Sequence, residues 1–120
     1  MTDDTDTAAL RKVVQAAIDG GRIGSPRFLR CLARTRDRRQ IASSLDDLVS
    51  LGEAWFGSRP RRRYRLGEEG GVYLTELVKW PEGQAALLTV SLAASDGPPA
   101  LDLMLVGSRG TLYHDEPYSA

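Results

Sequence analysis

Three observations predict an α+β fold, with an open, largely antiparallel sheet of about six strands and two helices on one face. Two segments before Pro60 carry apolar residues at helical spacing, whereas the apolar runs after Pro60 alternate with a period of two. Short turn sequences separate those runs at Trp80-Pro81-Glu82-Gly83, Asp96-Gly97-Pro98-Pro99 and Gly107-Ser108-Arg109-Gly110. Links this short join antiparallel neighbours. No internal repeat or low-complexity segment interrupts the pattern.

The first helix is predicted from Leu10, Val13, Val14, Ala17 and Ile18, with Asp6 or Thr7 as its cap and Gly20-Gly21 as a left-handed stop. Gly24-Ser25-Pro26 then breaks the chain, and residues 27–36 read as a strand. Leu29, Cys31 and Ala33 fall on one side of it, and Phe28, Arg30, Leu32 and Arg34 on the other. Arg36-Asp37-Arg38-Arg39 reads as a charged loop. The second helix is expected to start at Ser43 or Ser44, which would cap it while Asp46 and Asp47 face the positive end of its dipole. Leu45, Leu48, Val49, Leu51, Trp55 and Phe56 give it an apolar face, and Gly57 ends it. Gly52 in its interior counts against a helix, since glycine costs about 1 kcal/mol there relative to alanine.

Strands are expected near 61–66, 71–80, 84–95, 100–106 and 111–115, as a five-strand meander to which strand 27–36 adds. The domain so defined spans 8–115, between an acidic segment 1–7 read as disordered and a tail, 116–120. A chain of 120 residues is large enough for one core and too short for two. Sixteen basic and sixteen acidic side chains cancel, so no global field draws it to nucleic acid or anionic lipid. The lone cysteine, Cys31, rules out an internal disulfide and reads as a small buried hydrophobe. Met1-Thr2-Asp3-Asp4-Thr5-Asp6 is the opposite of a signal peptide, and no apolar run reaches membrane length, which together predict a cytoplasmic protein.

Alternation gives the sheet two different sides. Ala86, Leu88, Val90, Leu92 and Ala94, with Leu101, Leu103 and Leu105, form the expected floor for the helices. The other side carries Tyr73, Thr75, Leu77, Ala85, Leu87, Thr89, Ser91, Ala93, Asp102, Met104 and Val106, and no third helix remains to cover it. An apolar face of this size marks an interface. Tyr73, Leu77, Leu87, Met104 and Val106 are therefore the candidate contact residues of a homo-oligomer, unless a loop or the tail Glu116–Ala120 shields them.

Three segments resemble the C-terminal domain of the glucose–fructose oxidoreductase/inositol dehydrogenase/MocA family. Ala16 to Phe28, containing Gly21-Arg22-Ile23-Gly24, is similar to the family's helix, Gly-x-Ile-Gly and strand. Leu45-Asp46-Asp47-Leu48-Val49 through Trp55-Phe56-Gly57 resembles its helix ending in an aromatic–glycine pair that lines the active site. Leu103 to Tyr113 is similar to its "L-x-G-x-x-G-x-L" hairpin. The resemblance implies an open sheet with helices on one face and an oligomer contact on the other. In that family a preceding Rossmann domain binds NAD(P) and supplies a catalytic lysine. Here no Gly-x-Gly-x-x-Gly follows a strand, and the only lysines are Lys12 and Lys79. The family's Asp-x-Gly-x-His-x-x-Asp pattern is also missing, because the single histidine is His114. No catalytic, cofactor-binding or metal-binding residue is carried over, and no cofactor is expected on this chain.

Two smaller constellations of polar residues stand out. Arg59, Arg61, Arg62, Arg63 and Arg65 crowd one strand, with Arg61, Arg63 and Arg65 on one side and Arg62, Tyr64 and Leu66 on the other. That pattern reads either as an RNA- or anion-binding strand or as a solvated edge paired with Glu68, Glu69 and Glu76; net neutrality favours the second. His114, Asp115 and Glu116 are consecutive on a strand end and cannot all face one ion, and no histidine–acid pair stands ready to activate Ser25 or Ser108. The expected role is a non-catalytic, stand-alone oligomerising or accessory module, with a separate Rossmann-bearing dehydrogenase subunit as a further partner. An active subunit completed by that partner is a third reading.

Overall fold

A computed structural model describes residues 7–68, 70–93 and 100–116. The expected cap at Asp6, the turn Asp96–Pro99, Ala94, Glu69 and the shielding tail lie outside the described residues, as does the Thr7 side chain. The element order is α1 (Thr7–Asp19), β1 (Pro26–Thr35), a 3-10 turn (Arg38–Gln40), α2 (Ile41–Phe56), β2 (Arg62–Leu66), β3 (Tyr73–Lys79), β4 (Ala85–Leu92), β5 (Ala100–Gly107) and β6 (Thr111–Glu116). The fold is α+β: one open, mostly antiparallel sheet of six strands, with two helices.

The strand order, β2-β3-β4-β1-β5-β6, corrects the expected meander. β1 does not join the sheet at an edge; it lies between β4 and β5, parallel to β4 and antiparallel to β5. A parallel pair needs a crossover of a dozen or more residues, and the chain from α2 through the β2–β3 hairpin supplies it. Alternation assigns each residue to a face but carries no information about which strands are neighbours.

α1 ends in a Schellman motif: the Arg22 N–H donates to the Ala17 carbonyl at 3.3 Å and the Gly21 N–H to that of Ile18 at 3.0 Å. Gly21 takes the left-handed conformation there, with φ 72°. α2 begins at Ile41, not at Ser43 or Ser44. The carboxylate of Asp37 caps the 3-10 turn by accepting the Arg39 N–H, and the turn runs directly into the helix, so the second half of the expected charged loop is already helical. Burial of Ile41 anchors the earlier start, and Ser43 Oγ merely donates to the Gln40 carbonyl at 3.2 Å.

The core lies between α2 and the sheet. Leu45, Leu48, Val49, Leu51 and Trp55 meet Leu29, Cys31 and Ala33 of β1, Ala86, Leu88 and Val90 of β4, and Leu74 and Val78 of β3. Gly52 is buried among them because Trp80 crosses the helix at that point: a Cβ on Gly52 would fall 2.8 Å from the Trp80 ring. Trp80 is fixed by its Nε1–H, which donates to the Ser58 carbonyl at 2.9 Å, and by an edge-on contact with Phe56 at 4.7 Å between ring centroids. Helix propensity alone would reward Gly52→Ala by about 1 kcal/mol. Overpacking against a pinned ring costs about 1–3 kcal/mol. Gly52→Ala is therefore expected to be net destabilising, which a lowered urea midpoint at unchanged m would report.

The two glycine motifs of the sequence meet at one corner. Ser108 N–H donates to the Ser25 carbonyl at 2.9 Å, Arg109 N–H to that of Ile23 at 2.7 Å, and Ser25 N–H to Ser108 Oγ at 2.9 Å. Gly24 takes φ 76°, and a Cβ there would press on Ser108 and Arg109. This corner holds the end of β5 to the start of β1. No helix of the described residues is long and apolar enough to cross a membrane.

Candidate functional site

Register across the sheet sorts its helix-free face into rows. Tyr64, Leu77, Leu87, Arg30, Met104 and Tyr113 lie opposite one another from β2 to β6. A second row reads Leu66, Thr75, Thr89, Leu32 and Asp102, and a third reads Arg62, Lys79, Ala85, Phe28, Val106 and Thr111. Tyr73 falls in the row beyond, opposite Ser91. All five candidate contact residues thus stand on this face. Eight large hydrophobic side chains of the described residues are exposed, and six of them, Leu32, Tyr64, Leu66, Tyr73, Leu87 and Tyr113, belong to it. Tyr113 is 74% exposed on an edge strand. Solvent is a costly neighbour for so much clustered apolar surface.

Alternation places Leu32 and Arg30 on this side of β1, but only the central position of β1 brings them to the middle of the face. Once β1 is placed between β4 and β5, Arg30 stands between Leu87 and Met104. A concavity of about 390 Å³ opens there, lined by Arg30, Leu32, Leu87, Thr89, Asp102, Met104 and Tyr113 among others. The hydroxyls of Thr75 and Thr89 hydrogen-bond each other at 3.0 Å in the adjoining row.

The three arginines considered for anion binding part company. Arg63 and Arg65 turn to the helix side and converge on Glu76, whose side chain is 1% exposed. Arg63 donates through Nε and, at 3.1 Å, through Nη2; Arg65 donates through Nε at 2.9 Å and Nη2 at 2.8 Å. Each also reaches Asp46 on α2 at 3.1 Å. Asp46 is therefore in the second turn of the helix, bridging to the β2 edge, instead of facing the first-turn amides. Burial would raise the Glu76 carboxyl, but the bonds from Arg63 and Arg65 outweigh it and hold the group below the ordinary carboxylate value. The same contacts push Arg63 upward against the cost of burial. Arg61 keeps an exposed side chain, and its backbone N–H donates to the Lys79 carbonyl at 2.7 Å.

Cys31 lies on the helix side of β1; burial, and then the charge of Asp102, push its thiol up to about 12. It is thus a packing residue and a poor nucleophile at neutral pH. His114 sits opposite Leu103, on the helix side of β6. Among the described residues no three His, Cys, Asp or Glu side chains gather in a metal-binding cluster.

A dinucleotide requires a glycine turn from strand to helix, with free amides aimed at the pyrophosphate. The strand-to-helix passage described here, from β1 into α2, holds no glycine, and the Asp37 carboxylate occupies the Arg39 amide. The Arg39 side chain, and then its N–H, keep that carboxyl below its usual range, so the carboxylate stays ionised and engaged with Arg39. This turn does not offer the glycine-lined amide cradle of a dinucleotide site.

No protein-family model matches the sequence, and no curated protein matches it. Solved structures do. A probable dehydrogenase from Thermotoga maritima superposes with a TM-score of 0.70 at 17% identity, over 88% of this chain and 38% of its own. A myo-inositol 2-dehydrogenase from Lactobacillus plantarum gives 0.67 at 17% identity, over 87% and 38%. A scyllo-inositol dehydrogenase from Lactobacillus casei, solved with NAD(H) and scyllo-inositol, gives 0.63 at 16% identity, over 87% and 38%. Two of these three neighbours are named as inositol dehydrogenases, the kind of enzyme whose family the sequence motifs resemble. At such identities the likeness is one of fold, and the chain spans little more than a third of each neighbour's length.

Proposed function

We propose that this chain is a non-catalytic relative of an oxidoreductase C-terminal domain, acting as an oligomerising or accessory module through the helix-free face of its sheet. One observation carries the reading: among the described residues, most of the exposed large hydrophobic side chains collect on that face, where neither helix covers them. The strand-to-helix turn, which offers no dinucleotide cradle, supports the absence of turnover in this chain. A separate NAD(P)-binding dehydrogenase subunit is the natural heterologous partner, since the neighbours pair this fold with further chain. A cytoplasmic setting agrees with the single buried thiol of Cys31. The rival anion or RNA site on Arg61, Arg63 and Arg65 is disfavoured because Arg63 and Arg65 are already engaged by Glu76 and Asp46.

Sedimentation of the wild type at tens of micromolar is expected to give a dimer or larger, and Leu87→Arg is expected to split it without changing far-ultraviolet dichroism. A monomeric wild type, or an assembled Leu87→Arg, would count against the interface. Stoichiometric micromolar binding of NADH to the isolated chain would remove the non-catalytic assignment.

A further inference from the structure

Resting on the oligomeric reading above, we infer that a second interface lies along the outer edge of β6, where two copies join antiparallel about Tyr113 and their sheets become one. The strand order leaves two open edges, β2 and β6. They differ in charge. β2 carries Arg62, Arg63 and Arg65 within five residues, the kind of charged edge that discourages an added strand. β6 opens with Thr111-Leu112-Tyr113-His114, which holds no lysine, arginine or carboxylate. Tyr113, in the middle of that edge, is the most exposed large hydrophobic side chain of the described residues.

Hydrogen bonding fixes which backbone groups this edge presents. The Gly107 N–H donates to the Gly110 carbonyl at 2.8 Å, toward β6, whereas the Ser108 N–H donates the other way, to Ser25. Bonded and non-bonded pairs alternate along an antiparallel ladder, so Leu105–Leu112 and Leu103–His114 are bonded pairs. Thr111, Tyr113 and Asp115 therefore turn N–H and C=O outward, where no strand of the described residues lies. In an isologous antiparallel contact each outward residue must meet an outward residue of the second copy. Only the register centred on Tyr113 pairs all three, Tyr113 with Tyr113 and Thr111 with Asp115 in both directions. Its two-fold axis is normal to the sheet, so the helix-free sides of the two copies stay aligned across the joint. Asp115 and Glu116 fall opposite Thr111 and Gly110, and no acid stands opposite an acid. Each pair exchanges two N–H···O bonds, about six in all. Such a ladder alone barely offsets the freedom lost on association, so the edge joins copies that the helix-free faces have already paired. The assembly is a tetramer of two face-to-face dimers.

The test combines amide-resolved hydrogen exchange with sedimentation equilibrium on the full chain. The amides of Thr111, Tyr113 and Asp115 should exchange freely in dilute protein and slow by on the order of tenfold or more as tetramer forms, while those of Leu112 and His114 stay protected throughout. Tyr113→Pro removes an outward N–H that β5 does not use. It deletes one bond per copy and should weaken the joining of dimers by on the order of a hundredfold. Tyr113→Lys sets like charges opposite each other and should stop assembly at the dimer, whereas Leu87→Arg should give monomers. If Tyr113→Pro is misfolded by dichroism, Tyr113→Lys carries the comparison. A wild type that stops at the dimer, or a tetramer indifferent to both changes, would overturn the edge and leave the helix-free face standing. Protection of the three outward amides that ignores concentration would show the chain covering its own edge, and would overturn the pairing likewise. Leu87→Arg dimers that Tyr113→Lys splits would keep the edge and remove the face. A wild type that is monomeric throughout would overturn both.

Discussion

Glu76→Ala is expected to lower the unfolding free energy by about 2–4 kcal/mol and the thermal midpoint by on the order of 10 °C. The carboxylate is the buried centre of a four-residue cluster that joins α2 to the outer hairpin. β2 is exposed along its whole length and is held by β3 on one side only, so these bonds are its main side-chain anchor. Arg63 and Arg65 are part-exposed and keep Asp46, which places the expected cost below that of stranding two fully buried charges. Glu76→Gln keeps the shape and loses the charge, so it should fall between wild type and Glu76→Ala. Urea denaturation of the three proteins measures the order; a loss under about 0.5 kcal/mol for Glu76→Ala would place the cluster among weak surface pairs.

The same carboxylate makes stability depend on acid. Its folded pKa lies below the ordinary value of 4.5, so the folded state releases the proton more readily than the unfolded chain. The stabilisation is complete above the unfolded value and is lost as pH falls through the folded one. Between neutral pH and about 3, wild type should therefore lose its advantage over Glu76→Gln. A constant difference across that range would show that hydrogen-bond geometry, not charge, holds the hairpin.

Gly107→Ala is expected to be similarly severe, about 3 kcal/mol or more, because the obstacle is backbone. A Cβ at Gly107 would lie 2.9 Å from the Ile23 carbonyl carbon and closer still to its oxygen, which already accepts the Arg109 N–H. Neither can withdraw without parting the start of β1 from the end of β5. Gly83→Ala makes the useful contrast: at φ 94° it suffers backbone strain, but nothing stands within 4 Å of its Cβ. Hydrogen exchange should therefore rise at the amides of β1 and β5 in Gly107→Ala and only near the Trp80 turn in Gly83→Ala. Equal, local effects would refute the corner's role.

Much of this architecture is legible in the order of residues. Alternation in Phe28–Arg34 and in Ala85–Leu92 assigns faces correctly, because a strand's two sides meet two different solvents. The glycines at Gly21 and Gly57 mark the helix ends, since each needs a positive φ. The start of α2 lies two or three residues before the serines that its sequence suggests, because serine's preference for caps is a local signal, whereas burial of Ile41 and the cap from Asp37 decide the matter. Gly52 looked like a weakness of the helix until Trp80, 28 positions along, appeared above it.

The sequence by itself determined the fold class, the two faces of the sheet and the side on which the five apolar candidate residues stand, all of which follow from side-chain periodicity and turn chemistry. Only the tertiary structure decided that β1 is central, that Asp46 reaches the β2 edge and that Arg30 and Asp102 share one concavity. Those facts depend on which strands become neighbours. Strand pairing is a competition among long-range contacts of similar backbone energy, settled by the burial of the whole core and not by any segment of it.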